Sequence, residues 1–297
     1  MGLMREAYNQ LLDAAIQHLE GLKARGVRFV NVSTDAVGRL SQPKESVSLK
    51  SSARPAQPKP MVEQPSARNL TSELILEKQT APEFKPALDP NAKAAAFNDL
   101  RQRAMACVKC SHLAAARKNV VFGVGDINAQ LMFIGEAPGA DEDRQGEPFV
   151  GKAGQLLTKI IETMGLTRDS VYIANILKCR PDTPGQSAGN RKPTPEEMKT
   201  CIPFLHEQID LIQPKVIVAL GGTAVEGLLG KTIGIMKLRG TWQTYRGIPL
   251  MPTYHPAYLL RNQAPMEKRR VWEDMLQVME KLAMPVSEKQ RGFFLKA

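Results

Sequence analysis

Gln130-Leu-Met-Phe-Ile-Gly-Glu-Ala-Pro-Gly139 decides how the rest of the chain is read. The apolar run Leu131 to Ile134 is too short for a helix and ends at a glycine, so it predicts a strand buried on both faces. From Gly135 to Gly151 the chain then holds four glycines, two prolines, five carboxylates and Phe149. Glycine and proline permit sharp bends and close approach of the backbone to a ligand, and the carboxylates are candidates for polarising water or reading polar edges. A solvated acidic turn between strand and helix has the same composition, and this loop alone does not separate the two.

Outward from this stretch, strands and helices alternate. The patterns predict a helix over 153–164, a strand over 171–174, a helix over 195–212 and a strand over 216–220. A helix over 223–229, a hairpin-like stretch over 238–245, a strand over 249–253 and a closing helix over 268–282 follow. Such alternation implies an α/β chain: a three-layer, doubly wound fold around a central, mostly parallel, four-stranded sheet. Ligands of these sheets bind outside the carboxyl ends of the strands. Glu136 to Phe149, Asn175, and Tyr254-His255-Pro256 each follow a strand, so all three open on one edge. A carboxylate, an amide, an imidazole and a phenyl ring converging there suit a flat heterocycle. Each has a plainer reading: Asn175 as a turn cap, Phe149 as core, His255 as an ordinary histidine before a proline.

The remainder organises around that domain, which is expected to span 91–297. Within 1–30, Leu11, Leu12, Ala15, Ile16, Leu19 and Leu22 fall at helical spacing and predict an amphipathic helix whose stripe suits a partner protein or the chain's own catalytic domain. Residues 31–90 carry eight prolines among Ser, Lys, Gln and Ala, a composition that cannot offset its ordering entropy, and predict a flexible, disordered linker. Forty Lys and Arg against thirty Asp and Glu give a net charge of +10 over 297 residues, which favours a polyanionic partner. No run of about 18 apolar residues marks a membrane span, and no signal peptide is apparent, so a cytoplasmic enzyme is expected.

Four cysteines are present: the pair Cys107 and Cys110 in Cys-x-x-Cys, then Cys179 and Cys201 with 21 residues between them. Stable disulfides are rare in the cytosol, which leaves a metal site, a redox pair or unrelated thiols. Four thiolates suit tetrahedral zinc or a [4Fe-4S] cluster, and the absence of a second Cys-x-x-Cys favours the cluster.

Taken together, the motifs Gly135-Glu-Ala-Pro-Gly139, Pro148-Phe-Val-Gly-Lys-Ala-Gly154, Asn175-Ile-Leu-Lys-Cys-Arg-Pro181 and Tyr254-His-Pro-Ala-Tyr-Leu-Leu-Arg261 with the four cysteines resemble the family 4 uracil-DNA glycosylases over about residues 95–285. The resemblance implies cleavage of the N-glycosidic bond of deoxyuridine in single- or double-stranded DNA, leaving an abasic site and so initiating base excision repair. By the same match, Asn175 bonds the O4 and N3 edge of uracil, Phe149 stacks on the ring, Glu142 lies near C5, and the backbone at Gly135 and Ala137 lines the pocket. His255 stabilises the leaving uracil anion at O2, Glu136 orients or activates water, and Asn190 is a further polar group near that water. Arg180 and Arg261 contact phosphate, and Cys107, Cys110, Cys179 and Cys201 ligate a [4Fe-4S] cluster in a monomer. The alternatives are a uracil-DNA binder of the covalent-trapping branch and a zinc-containing α/β nucleotide hydrolase. The insertion within 182–189 holds no histidine to trap a sugar, and Ala137 stands where that branch favours glutamine, so turnover is expected.

Overall fold

A computed structural model describes residues 89–181, 191–230 and 234–295. The helix expected within 1–30, the linker expected over 31–90 but for its last two residues, the insertion within 182–189 and Asn190 lie outside the described residues.

The helices begin and end where local chemistry requires. α1 (Pro90–Met105) starts where the Asp89 carboxylate accepts from the Asn91 and Ala92 amides at 3.1 and 3.2 Å, with Pro90 supplying a fixed φ at the first turn. α2 (Ser111–Ala116) is short and follows the Cys-x-x-Cys pair directly. α5 (Pro195–Ile212) opens with a capping box between Thr194 and Glu197 and stops at Gln213, which adopts φ +54° before Pro214. Between α2 and α5 lie β1 (Val124–Gly125), β2 (Leu131–Gly135), α3 (Ala140–Gln145), α4 (Lys152–Thr163) and β3 (Tyr172–Asn175). After α5 come β4 (Val216–Leu220), α6 (Gly222–Leu229), α7 (Ile235–Leu238), β5 (Gln243–Tyr245), β6 (Ile248–Thr253), α8 (Pro256–Arg261), α9 (Pro265–Lys281) and α10 (Glu288–Gly292).

The sheet has six strands in the order β1-β3-β2-β4-β6-β5. The four expected strands form its parallel centre, and β1 and β5 add short antiparallel edges. β1 escapes sequence reading because it has two residues, too few to show a period. The hairpin-like stretch resolves into α7 and a tight β5–β6 hairpin turning through Arg246 and Gly247, both at positive φ (50° and 79°) as such turns require.

Side chains alternate across the strands and make two cores. Met132, Ile134, Ala174, Ile217 and Ala219 pack beneath α1, α5 and α6, with Leu100, Leu205 and Val225 among their partners. Leu131, Phe133, Ile173, Val216 and Val218 face α4 and α9 through Leu157, Ile161, Trp272 and Met275. Each fully buried Leu or Ile contributes about 1.5–3 kcal/mol of transfer free energy, which makes the sheet a rigid frame for the loops at its edge.

Candidate active site

In register, Gly135 of β2 lies beside Asn175 of β3. Pairing continues past the strand ends, since the Ile176 and Leu177 amides donate to the Gly135 and Glu136 carbonyls at 3.0 and 3.1 Å. The two loops therefore leave the sheet side by side. A Cβ at Gly135 would stand 2.4 Å from Asn175 Oδ1 and 2.6 Å from Phe149 Cζ, so glycine is what lets the amide and the ring meet over the strand end. Asn175 is 2% exposed, and its Oδ1 is buried without a hydrogen-bond partner. A buried acceptor left unpaired costs on the order of 1–3 kcal/mol, and its persistence at a strand end marks a place prepared for a donor.

Phe149 is held by force from several sides. Its φ of +55° is unfavourable for an aromatic residue, and its ring stacks on that of His255 with centroids 5.5 Å apart at 30°. Arg168 Nη2 donates to the Pro148 carbonyl at 2.8 Å, and Arg168 Nη1 to the Phe149 carbonyl at 3.1 Å and Thr158 Oγ1 at 3.3 Å. Gly154 permits the same approach from α4, because a Cβ there would collide with the Phe149 carbonyl at 1.8 Å. The Glu142 carboxylate closes the loop by accepting from the Gly139, Val150 and Gly151 amides, each at 3.0 Å. Asp143 accepts from the Lys118 and Asn119 amides, and Asp141 pairs with Arg144. Three of the loop's five carboxylates thus serve its own architecture, and Glu147 is exposed.

Glu136 is the remaining one. Its side chain is largely withdrawn from water and hydrogen-bonds Thr223 in the first turn of α6; burial raises its pKa, and the Thr223 bond partly offsets the rise. Gly221, at φ +91°, caps that helix and packs against His255, where a Cβ would lie 2.9 Å from His255 Cβ. Gly221 and Thr223 thereby join the site from β4, a strand end that the sequence reading placed but did not use. The signal was available in the position of Gly221-Gly222-Thr223 directly after an apolar run at the same sheet edge. Ala137 is partly buried against the α5-side core.

His255 caps α8: its Nδ1 accepts from the Ala257 amide at 3.1 Å. That bond places the ring proton on Nε2. Burial, aided by the nearby Arg261 charge, lowers its pKa to about 4, so a neutral imidazole with a free N–H donor is the resting state at pH 7. Beneath it, Thr253 at the end of β6 donates to Asp274 at 2.6 Å, and Asp274 is bonded by Arg239, which pins the strand end to α9. Arg261 is exposed at the end of α8, and Arg180 is partly buried beside Cys179.

Cys107, Cys110, Cys179 and Cys201 line a single apolar cavity with Leu113, Arg117, Leu177 and Thr200. Arg117 Nη1 donates to Cys179 Sγ at 3.1 Å and the Lys178 amide to Cys201 Sγ at 3.2 Å, an arrangement that favours thiolate sulfur. Burial, with mutual repulsion among the thiolates, raises the pKa of Cys110, Cys179 and Cys201, the last to about 11. Four thiolates here therefore need a cationic centre, and the donor set fits an iron-sulfur cluster. Among the described residues, no three Cys, His, Asp or Glu side chains stand as one coordinated ion requires; the thiols surround a space instead of meeting at a point.

The family model of the Uracil DNA glycosylase superfamily matches residues 122–276, which include the strand-end loops and two of the cysteines. A protein named type-4 uracil-DNA glycosylase from Thermotoga maritima is 45% identical over 178 residues, covering 59% of this chain and 88% of the relative. Another of that name, from Sulfurisphaera tokodaii, is 39% identical over 205 residues, covering 66% and 89%. A type-5 uracil-DNA glycosylase from Pyrobaculum aerophilum is 30% identical over 196 residues, covering 55% and 83%. With identity higher to the type-4 relatives and a site that carries the motifs intact, this chain belongs to the type-4 branch of the uracil-DNA glycosylase superfamily.

Proposed function

We propose that this protein hydrolyses the N-glycosidic bond of deoxyuridine in DNA, releasing uracil and leaving an abasic site. The observation that carries this reading is the unpaired, buried Oδ1 of Asn175, set against Phe149 over Gly135. Uracil presents N3–H and O4 along one edge, so Asn175 Oδ1 accepts from N3–H while Nδ2 donates to O4. Cytosine presents the reverse pattern and meets an acceptor with an acceptor. Phe149 stacks on the ring, and Glu142, through its grip on Val150 and Gly151, fixes the wall near C5 where a thymine methyl group has to fit. The target base enters such a pocket only by leaving the duplex stack or from a single strand.

Cleavage leaves negative charge on the uracil ring and positive charge on the sugar. His255 Nε2–H, neutral and already oriented by the Ala257 bond, donates to O2 as that oxygen gains charge, and no proton transfer is needed. Glu136, with basicity raised by burial and orientation fixed by Thr223, holds the attacking water on the opposite side and takes its proton after bond cleavage. Asn190 is proposed, from the family resemblance alone, as a further polar group for that water, and Arg180 and Arg261 grip phosphates flanking the extruded nucleotide. Cys107, Cys110, Cys179 and Cys201 hold a [4Fe-4S] cluster. When bound, such a group would tie the turn before α2, the segment after β3 and α5 together through these four thiolates, and the hydrolysis itself needs no electron transfer.

The test is an end-labelled oligonucleotide with one uracil, single-stranded and paired, treated with alkali after incubation beside a thymine control. Product from uracil alone, in molar excess over the protein, is expected. No product from either form overturns the reading, and a stoichiometric complex that survives denaturation moves the protein to the covalent-trapping class.

A further inference from the structure

Lys178 is fully buried, and the reaction as derived makes no use of it. Its Nζ donates to the Asn175 carbonyl at 2.9 Å and to Gln208 Oε1 at 2.6 Å, and it stands 5.8 Å above the centre of the Phe122 ring. Gln208 is itself buried and has no freedom to turn away, because its Nε2 donates to the Phe122 carbonyl and the Tyr172 hydroxyl, both at 3.0 Å. The Lys178 backbone is used as well: its amide donates to Cys201 Sγ at 3.2 Å, and its carbonyl accepts from the Val121 amide at 2.7 Å. Among the described residues no carboxylate pairs with this ammonium, although an isolated buried charge is costly by several kcal/mol. The group that acts on its charge is the Cys201 sulfur, which favours the protonated amine against the effect of burial.

We propose that Lys178 is a positioning residue that couples the four-cysteine site to uracil recognition: its ammonium holds the Asn175 carbonyl from inside the fold and favours a charged Cys201 sulfur, while its amide binds that same sulfur. The inference rests on the reading of the site as a uracil pocket beside an iron-sulfur cluster. Asn175 has no hydrogen bond on Oδ1 to steady its side chain, so its orientation depends on the backbone at 175, and Lys178 fixes that backbone from inside the fold. A neutral residue at 178 leaves the Asn175 carbonyl unpaired and removes the positive charge that acts on Cys201, with Arg117 on Cys179 as the remaining cation at the cysteines.

The experiment uses the full-length protein purified with its chromophore, comparing wild type with Lys178→Met and Gln208→Glu. Methionine keeps the apolar stem and removes charge and both hydrogen bonds. Glutamate leaves Lys178 in place and pairs its charge away from the thiolates. Inhibition by free uracil is expected to weaken about tenfold in Lys178→Met, the equivalent of one lost buried hydrogen bond, with KM rising more than kcat falls. Visible absorbance in air is expected to bleach several-fold faster in both variants, since one removes the Lys178 charge from Cys201 and the other neutralises it with a carboxylate. Where Lys178→Met does not fold, Gln208→Glu alone decides: bleaching at the wild-type rate overturns the inference. Lower thermal stability with unchanged uracil inhibition and unchanged bleaching in Lys178→Met also overturns it, because a merely structural lysine behaves that way. Wild type that releases uracil while both variants match it sinks this inference alone. Wild type that releases no uracil removes its premise together with the functional reading, whereas wild type that releases uracil but carries no visible chromophore overturns this inference alone.

Discussion

At the scale of single residues, Asn175 sets function against stability. An unpaired buried acceptor is a liability in the free protein and an asset once a donor arrives. Asn175→Ala is therefore expected to lower kcat/KM on uracil-DNA by at least about a hundredfold, as expected where a polar recognition site loses its partner, with no loss of Tm. A fall in Tm matching the loss of activity would place Asn175 among ordinary structural residues. His255 carries a second expectation, on pH. Its folded pKa, about 4, lies below the ordinary 6.5, so between these values the unfolded chain binds a proton that the folded chain refuses. The contribution of this group is complete above about pH 6.5 and is lost as pH falls toward 4. Wild type is expected to lose more Tm between pH 7 and pH 5 than His255→Gln, and parallel curves would contradict a buried neutral imidazole. Both residues were legible in the sequence because each follows an apolar run at a parallel strand end. Glu142 was not legible in its bonding: composition marks a carboxylate, but only the folded loop shows it accepting three backbone amides.

At the scale of elements, the loop between β2 and α4 depends on a residue that no motif announces. Arg168 lies beyond α4 in a short 3-10 turn, and its guanidinium reaches back to the carbonyls of Pro148 and Phe149. Burial lowers its pKa, and the bonds it makes there hold Phe149 at positive φ. Arg168→Ala is expected to cost about 1–3 kcal/mol of stability through unpaired carbonyls and to raise KM about tenfold with a smaller change in kcat. Reduced stability with KM unchanged would mean that Phe149 keeps its place without the clamp. The parallel strands and long helices were readable from period and caps, whereas β1 and the contact of Arg168 with Phe149 depend on tertiary pairing that has no local signature. Thr223 differs, since Gly221-Gly222-Thr223 follows an apolar run at the same sheet edge, and its place beside Glu136 comes from β4 lying next to β2.

For the whole molecule, a net charge of +10 sets how the protein meets DNA. Arg261 is exposed at the end of α8, whereas Arg269 and Arg270 on α9 are bonded within the fold to Glu273 and Glu267. Neutralising Arg180 and Arg261 together is expected to reduce the slope of log affinity against log salt by about 1–2, one phosphate contact each. An unchanged slope would assign the charge effect to other residues. Among the described residues no helix is long and apolar enough to cross a membrane. The sheet brings four strand ends to one edge, and the Lys178 amide binds the loop after β3 to Cys201, so the strand-end pocket and the four cysteines are structurally connected. The central claim is that uracil sits against Phe149 with its N3–H on Asn175. A crystal structure of the protein with free uracil tests it most directly. The expected result is Asn175 Oδ1 about 2.9 Å from uracil N3, the ring stacked on Phe149 and His255 Nε2 at O2. Uracil bound elsewhere, or bound here with Asn175 Oδ1 still unpaired, would contradict the account.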